Sequence, residues 1–249
     1  MAGVIDGVGD EKERLEERDI DAGGLVAATH LHRYELAAAL LGGDRVLDLC
    51  CGTGYGARAL AANAASVVGV DVAPEAIAAA ERAVGPEEEG RLRFEEADAL
   101  AYLRGLGADA FDAVVCFEGI EHVPDPAAVV AELVRLAGAG TRVILSLPNS
   151  RGFDERNRFH VTDFGWEEAQ QLIAGFDAPV VLEQYLAEGS LIVPAEGRPA
   201  RAAARIFSEE ARDRPAWASH WMVLVGFEDA AAGTAAARLG VAVAPHQNA

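Results

Sequence analysis

Between residues 45 and 148 short apolar runs return at regular intervals, separated by helix-forming stretches, and this alternation constrains the fold more than anything else in the chain. "RVLDLC", "SVVGVD", "RLRFEEAD", "FDAVVCFE" and "TRVILSLP" read as strands. Gly54 to Ala62, "EAIAAAERAV" behind Pro74, and "DPAAVVAELVRLA" read as helices, with proline suited to a first helical turn. Near-continuous apolar strands separated by helices predict a parallel sheet covered on both faces. Right-handed crossovers then place a ligand at the carboxyl ends of the strands.

The first strand runs into "VLDLCCGTGYGARAL", Val46 to Leu60. From Gly52 this is G-x-G-x-x-A, a turn with small residues where a nucleotide approaches a helix N-terminus. The pattern alone does not choose the nucleotide. Asp71, about one βαβ step further on, suits a ribose in NAD and in S-adenosylmethionine equally. Asp48 and Asp98 separate the two. A pyrophosphate at this loop meets repulsion from Asp48, whereas a sulfonium and an amino group meet attraction. Asp98, followed by Ala99, ends the third strand where an adenine amine needs an acceptor.

With these residues in view, the chain resembles the class I S-adenosylmethionine-dependent methyltransferases. "VLDLCCGTG", "VVGVD", "EEADAL", "FDAVVCFEGIEHV" and "VILSLPN" carry the resemblance over roughly residues 45–149. "HLHRYELA", "FEGIEHVPDP" and "NRFHVTDF" are similar to a bacterial subgroup of small-molecule and sugar methyltransferases. The resemblance implies a Rossmann-like α/β fold with a seven-stranded, mostly parallel sheet, helices on both faces and an antiparallel last strand. It implies S-adenosylmethionine as cofactor, held by Arg33, Asp48, Cys50, Gly52, Gly54, Asp71, Val72, Asp98, Ala99 and Glu118. Within that set the glycine loop meets the methionine portion, Asp71 the ribose and Asp98 the adenine. Cys50 departs from the family pattern, which has Gly or Ala there.

Methyl transfer from a sulfonium needs an aligned nucleophile and, for a hydroxyl, a base. His122 in "FEGIEHV" and His160 in "RFHVTDF" follow the fourth and fifth strands and are the candidate catalytic residues. Glu118, Glu121, His122 and His160 also make a possible divalent-metal set, since two carboxylates and two imidazoles supply hard and borderline ligands. The Glu-His pair equally suits a role in shaping the loop. His30, Arg33 and Tyr34 share a helix face in "AATHLHRYELAAALL", and the resemblance lets Arg33 pair with the methionine carboxylate.

The expected organisation is a single methyltransferase domain over 1–249. It has a helical cap at 1–44, a cofactor core at 45–149, substrate-side loops and final strands at 150–228, and a peripheral tail at 229–249. "APVVLEQYL" and "HWMVLVGF" are apolar enough to close the sheet, and "GRPARAAARIFSEEARDRPAW" reads as a lid or irregular insertion. Trp166, Trp217 and Trp221 read as packing residues. A formal charge of −19 disfavours nucleic acid and anionic membranes, and the expected acceptor is a hydroxyl or amine of a small polar molecule such as a sugar or natural product. RNA 3′-end methylation and a non-catalytic cofactor-binding role are the alternatives. No apolar run spans a bilayer and no signal core precedes the charged N-terminus, so the reading is cytoplasmic. Cys50, Cys51 and Cys116 make no disulfide framework and read as small packing residues.

Overall fold

The alternating apolar strands assemble, in a computed structural model, into one twisted sheet in the order β3-β2-β1-β4-β5-β8-β6-β7-β9. The structure describes Ile20 and residues 24–150, 157–186, 189–194, 219–239 and 241–243. The strands are β1 (Arg45–Leu49), β2 (Ser66–Asp71), β3 (Leu92–Glu96), β4 (Ala113–Cys116), β5 (Arg142–Pro148), β6 (Val180–Leu186), β7 (Gly189–Pro194), β8 (His220–Val225) and β9 (Val241–Val243). The helices are α1 (Leu25–Leu40), α2 (Tyr55–Ala61), α3 (Pro74–Ala83), α4 (Ala99–Gly105), α5 (Pro126–Gly138), α6 (Trp166–Ile173) and α7 (Asp229–Leu239).

The first five strands pair in parallel. β8 runs antiparallel to both neighbours, β5 and β6, which gives the expected seven-stranded mixed sheet. β7 and β9 then extend it by two more antiparallel pairings. Successive residues of the central strands β1, β2, β4 and β5 serve opposite cores. Val46, Val67, Val115 and Ile144 pack beneath α1, α2, α3 and α7. Leu47, Val68, Val114 and Leu145 pack beneath α4, α5 and α6. Both faces are therefore dry, which is why these strands read as unbroken apolar runs.

Local chemistry sets the helix starts. Pro126 follows an Asp125 N-cap whose carboxylate accepts from Ala128 N–H, and Pro74 opens α3. The chain leaves β1 for one face and the adjacent β4 for the other. Their carboxyl ends therefore flank a crevice at the topological switch point, where ligands of open α/β sheets bind. The stretch after Asp229 is not peripheral as expected: Ala232 and Ala236 of α7 are buried in the first core. Alanine is small enough for a helix to lie close to the sheet, which an apolar count alone does not convey. The basic stretch at 197–217, with Trp217, lies outside the described residues, as does the N-terminal segment before Ile20.

Candidate active site

At the end of β1 the carboxylate of Asp48 is fully buried and accepts from the Tyr34 hydroxyl at 3.2 Å. Burial pushes its pKa up to about 8, and the nearby Asp71 charge adds to the effect. A cation brought to this carboxylate would return it to its ionised form. The backbone then turns sharply, with Cys50 at φ 62°, Gly52 at 55° and Gly54 at 80°. Gly54 answers a double demand, because a Cβ there would also stand 2.6 Å from the Phe94 ring. Above Gly52, by contrast, a Cβ would meet nothing within 4 Å, so the loop presents bare backbone to open space.

Asp71 ends β2 and accepts from Gly52 N–H at 2.9 Å and Ala73 N–H at 3.0 Å. It therefore braces the glycine loop, with Val72 exposed beside it. Asp98 is the N-cap of α4, its Oδ1 accepting from Ala101 N–H at 2.8 Å, and Ala99 is buried as the first helical residue. Exposed loop backbone, three carboxylates at successive strand ends and a helix N-terminus fit a nucleoside carrying a cationic amino-acid tail.

Glu118 follows β4 in a left-handed conformation, φ 50°, which turns its side chain toward α1. Its Oε1 lies 3.2 Å from Arg33 NH2 and 3.1 Å from His220 Nε2, and accepts from the Ser146 hydroxyl at 3.2 Å. Burial opposes ionisation, but the Arg33 guanidinium and His220 outweigh it and hold Glu118 well below the usual carboxylate range. Arg33 is fully buried and donates from NH1 to Gln184 Oε1 at 2.7 Å. The residue assigned to the methionine carboxylate thus already grips two side chains of its own protein. Gln184 in turn donates to Thr29 O and Ser190 Oγ, and Ser190 bonds His32 Nδ1. His30 Nδ1 meets the Tyr55 hydroxyl at 2.8 Å at the start of α2.

Glu121, His122 and His160 come together, each offering a ligand atom within 4.8 Å of the others. Glu118 is not among them, being committed to Arg33 and His220. Glu121 is fully buried and neither carboxylate oxygen has a hydrogen-bond partner among the described residues. Burial, reinforced by the Glu118 charge, drives its pKa well above the carboxylate range. His122 Nδ1 meets the Phe159 carbonyl at 3.0 Å, which fixes the proton there and leaves the Nε2 lone pair available. The His122 and His160 rings meet edge to face at 5.1 Å, and burial followed by the neighbouring His122 lowers the pKa of His160. Backbone N–H groups of Val161 and Thr162 donate to the Glu121 carbonyl, which ties the second loop to the first.

His220 and Gln184 escaped the sequence reading. An antiparallel strand starts where its parallel neighbours end, so the first residue of "HWMVLV" lands on the ligand edge, and the register Pro148↔His220 places it there. Gln184 carried a weaker signal, as a polar residue within the apolar "VVLEQYL".

A methyltransferase-domain family model matches residues 46–140, the stretch from β1 to the end of α5. Over that stretch the chain is similar to methyltransferase domains. The similarity implies S-adenosylmethionine as the cofactor. The chain is 37% identical over 127 residues to a ubiquinone biosynthesis O-methyltransferase of Psychrobacter arcticus, covering 51% of this chain and 48% of that protein. A Xylella fastidiosa protein of the same name is 40% identical over 109 residues, 44% of each chain. The chain thus spans about half the length of the curated relatives it matches. Among solved structures, YcgJ of Bacillus subtilis shares the fold with a TM-score of 0.57 and 20% identity, covering 80% of this chain and all of that one. The methyltransferase domain of a bacterial Hen1 does so with a TM-score of 0.56 and 18% identity, covering 80% of this chain and 100% of that one.

Proposed function

We propose that this protein transfers a methyl group from S-adenosylmethionine to a hydroxyl of a small molecule with an apolar face. The observation that carries the reading is the convergence of Glu121, His122 and His160 beside the crevice between β1 and β4. When bound, the cofactor supplies a methyl carbon activated by a sulfonium. In this reading the glycine loop and Asp48 receive the cationic methionine end, Asp71 the ribose hydroxyls, and Asp98 the adenine amine. His122 Nε2, oriented through its Nδ1 contact with the Phe159 carbonyl, takes the acceptor proton. His160 flanks the same point.

The exposed large hydrophobics support an acceptor that is not purely polar. Val161 and Trp166 flank the His160 loop at 58% and 39% exposure, and Trp166 rests on Trp221 at 5.1 Å. A natural-product-like scaffold fits this rim better than a bare sugar. The O-methyltransferase names of the relatives point the same way. The charge of −19 favours such an acceptor over RNA.

One observation favours a second reading of the same site. A buried carboxylate with no hydrogen-bond partner among the described residues, beside two imidazoles, is an arrangement that a divalent cation would satisfy. Glu121, His122 and His160 would hold it, and it would supply acidification of the acceptor hydroxyl.

The deciding experiment traces labelled methyl from S-adenosylmethionine into a panel of hydroxylated aromatics, sugars and short RNAs, with and without chelator. Label in a small hydroxylated compound supports the proposal. Label in RNA replaces the acceptor class. Binding of S-adenosylhomocysteine with no transfer to anything in a cell extract makes the protein a cofactor-binding module.

A further inference from the structure

The thiol chemistry of Cys50 and Cys116, at the mouth of the cofactor loop, has no part in the reading above. β1 and β4 pair with Asp48 opposite Val115, so Leu49 runs beside Cys116 and Cys50 lies one residue beyond. Cys50 and Cys116 share the core face that holds Leu47 and Val114, whereas Cys51 turns to the opposite face among Tyr34 and Phe94. A Cβ on Gly119 would stand 2.9 Å from the Cys50 sulfur and 3.1 Å from the Cys116 sulfur, so both converge on one point. Cys116 is fully buried, while Cys50 is partly exposed.

We propose that Cys50 and Cys116 form a peroxide-sensitive dithiol that closes reversibly to a disulfide and weakens cofactor binding. Cys116 is buried and Cys50 reaches the surface, so Cys50 meets the oxidant first. The Cys50 sulfur, giving up its proton, attacks one peroxide oxygen. The O–O bond breaks, hydroxide leaves and takes up a proton as water, and Cys50 becomes a sulfenic acid. Cys116 sulfur then attacks Cys50 sulfur. The S–S bond forms, the S–O bond breaks, and the departing hydroxide takes the Cys116 proton as a second water. Two electrons pass from the thiols to the peroxide.

The bridge would tie the end of β1 to the end of β4 across the crevice and displace the residue that leads into Gly52. Cys50 sits just beyond the end of β1 and is partly exposed, so the bridge stays open to attack by a small dithiol. The effect on cofactor rests on the methyltransferase reading; formation of the bridge does not.

The test treats the purified protein with hydrogen peroxide, alkylates remaining thiols, and maps peptides by mass spectrometry beside calorimetry with S-adenosylhomocysteine. The expected result is a Cys50–Cys116 linked peptide, affinity reduced about tenfold, and recovery of both thiols and affinity with dithiothreitol. The Cys51→Ser variant should form the same bridge, and Cys116→Ala should form none. The proposal is overturned by three titratable thiols after peroxide, by a bridge that includes Cys51, by oxygen added to Cys50 without a bridge, or by a bridged protein of unchanged affinity. If the protein binds no S-adenosylhomocysteine even when reduced, the cofactor reading fails while the peptide map still reports on the dithiol.

Discussion

The Tyr34 hydroxyl donates to Asp48 Oδ1 at 3.2 Å, joining the cap helix α1 to the end of β1 through a buried carboxylate. Tyr34 is held edge-on to Phe117 at 4.9 Å and to Tyr55 at 5.7 Å, so its ring is fixed independently of its hydroxyl. Tyr34→Phe therefore keeps the packing and removes the donor. We expect a loss of about 1–2 kcal/mol in urea unfolding. An unchanged midpoint would mean that water replaces the hydroxyl.

Asp71 and Asp98 each do two jobs, and their substitutions should separate them. Asp71→Ala removes the acceptor for Gly52 and Ala73 N–H as well as the ribose contact proposed above. Cofactor affinity should fall by one to two decades, roughly 1.5–3 kcal/mol, and stability should fall with it. Asp98→Ala removes an N-cap, costing about 1 kcal/mol of stability, and Asp98→Ser should restore the cap without the charge. Calorimetry with S-adenosylhomocysteine and urea titration of the same samples read the two effects.

Replacement of the base by alanine should lower turnover by about two to four decades while leaving S-adenosylhomocysteine affinity intact. His122→Ala is the principal variant, since its Nε2 is the oriented lone pair, and His160→Ala is its companion. In the metal reading, Glu121→Ala joins them, activity becomes sensitive to chelator, and excess divalent cation restores part of it. Glu118→Ala should not reproduce that chelator response. It should loosen Arg33 and His220 instead.

His30 and His32 are held neutral by burial and then by the Arg33 charge, with pKa values lowered to about 3 and about 4. Unfolded histidine titrates near 6.5. Between these values the unfolded chain binds protons that the folded chain refuses. Their contribution is thus fully present above about pH 6.5 and declines as pH falls toward 4 and then 3. Asp48, raised to about 8, works in the opposite sense: its contribution is lost as pH rises from about 4 through 8. Urea midpoints at pH 5 and 7 should differ less in His32→Gln than in the parent, and more in Asp48→Asn. Parallel shifts in all three would remove this assignment.

The cofactor half of the molecule was legible because its signals are local. "RVLDLC" and "SVVGVD" each need both faces buried, and the loop between Asp48 and Tyr55 must turn with left-handed residues, so composition and order announce them. The strands β7 and β9 were missed because "GSLIVP" and "VAV" are too short for periodicity to distinguish from loop. At the site, His122 and His160 were readable from their places after β4 and β5. The commitment of Glu118 to Arg33 was not, because it depends on how α1 packs and on the left-handed turn at Glu118. His220 was hidden by strand direction, and Gln184 by the lack of any local reason for a buried amide.

Helix α1 lies early in the chain, yet its polar anchors lie late. Arg33 bonds Gln184 across 151 residues of sequence, and His32 meets Ser190 across 158. Such contacts close long loops and form after the local βα units are in place. During synthesis the glycine loop and its parallel strands emerge and pair before β6 and β7 exist. The cap helix then has Asp48 for Tyr34 and Glu118 for its buried arginine, but neither Gln184 for Arg33 nor Ser190 for His32. The site is thus assembled from its floor upward, and an unfinished chain has a cofactor loop whose covering helix lacks its last polar anchors.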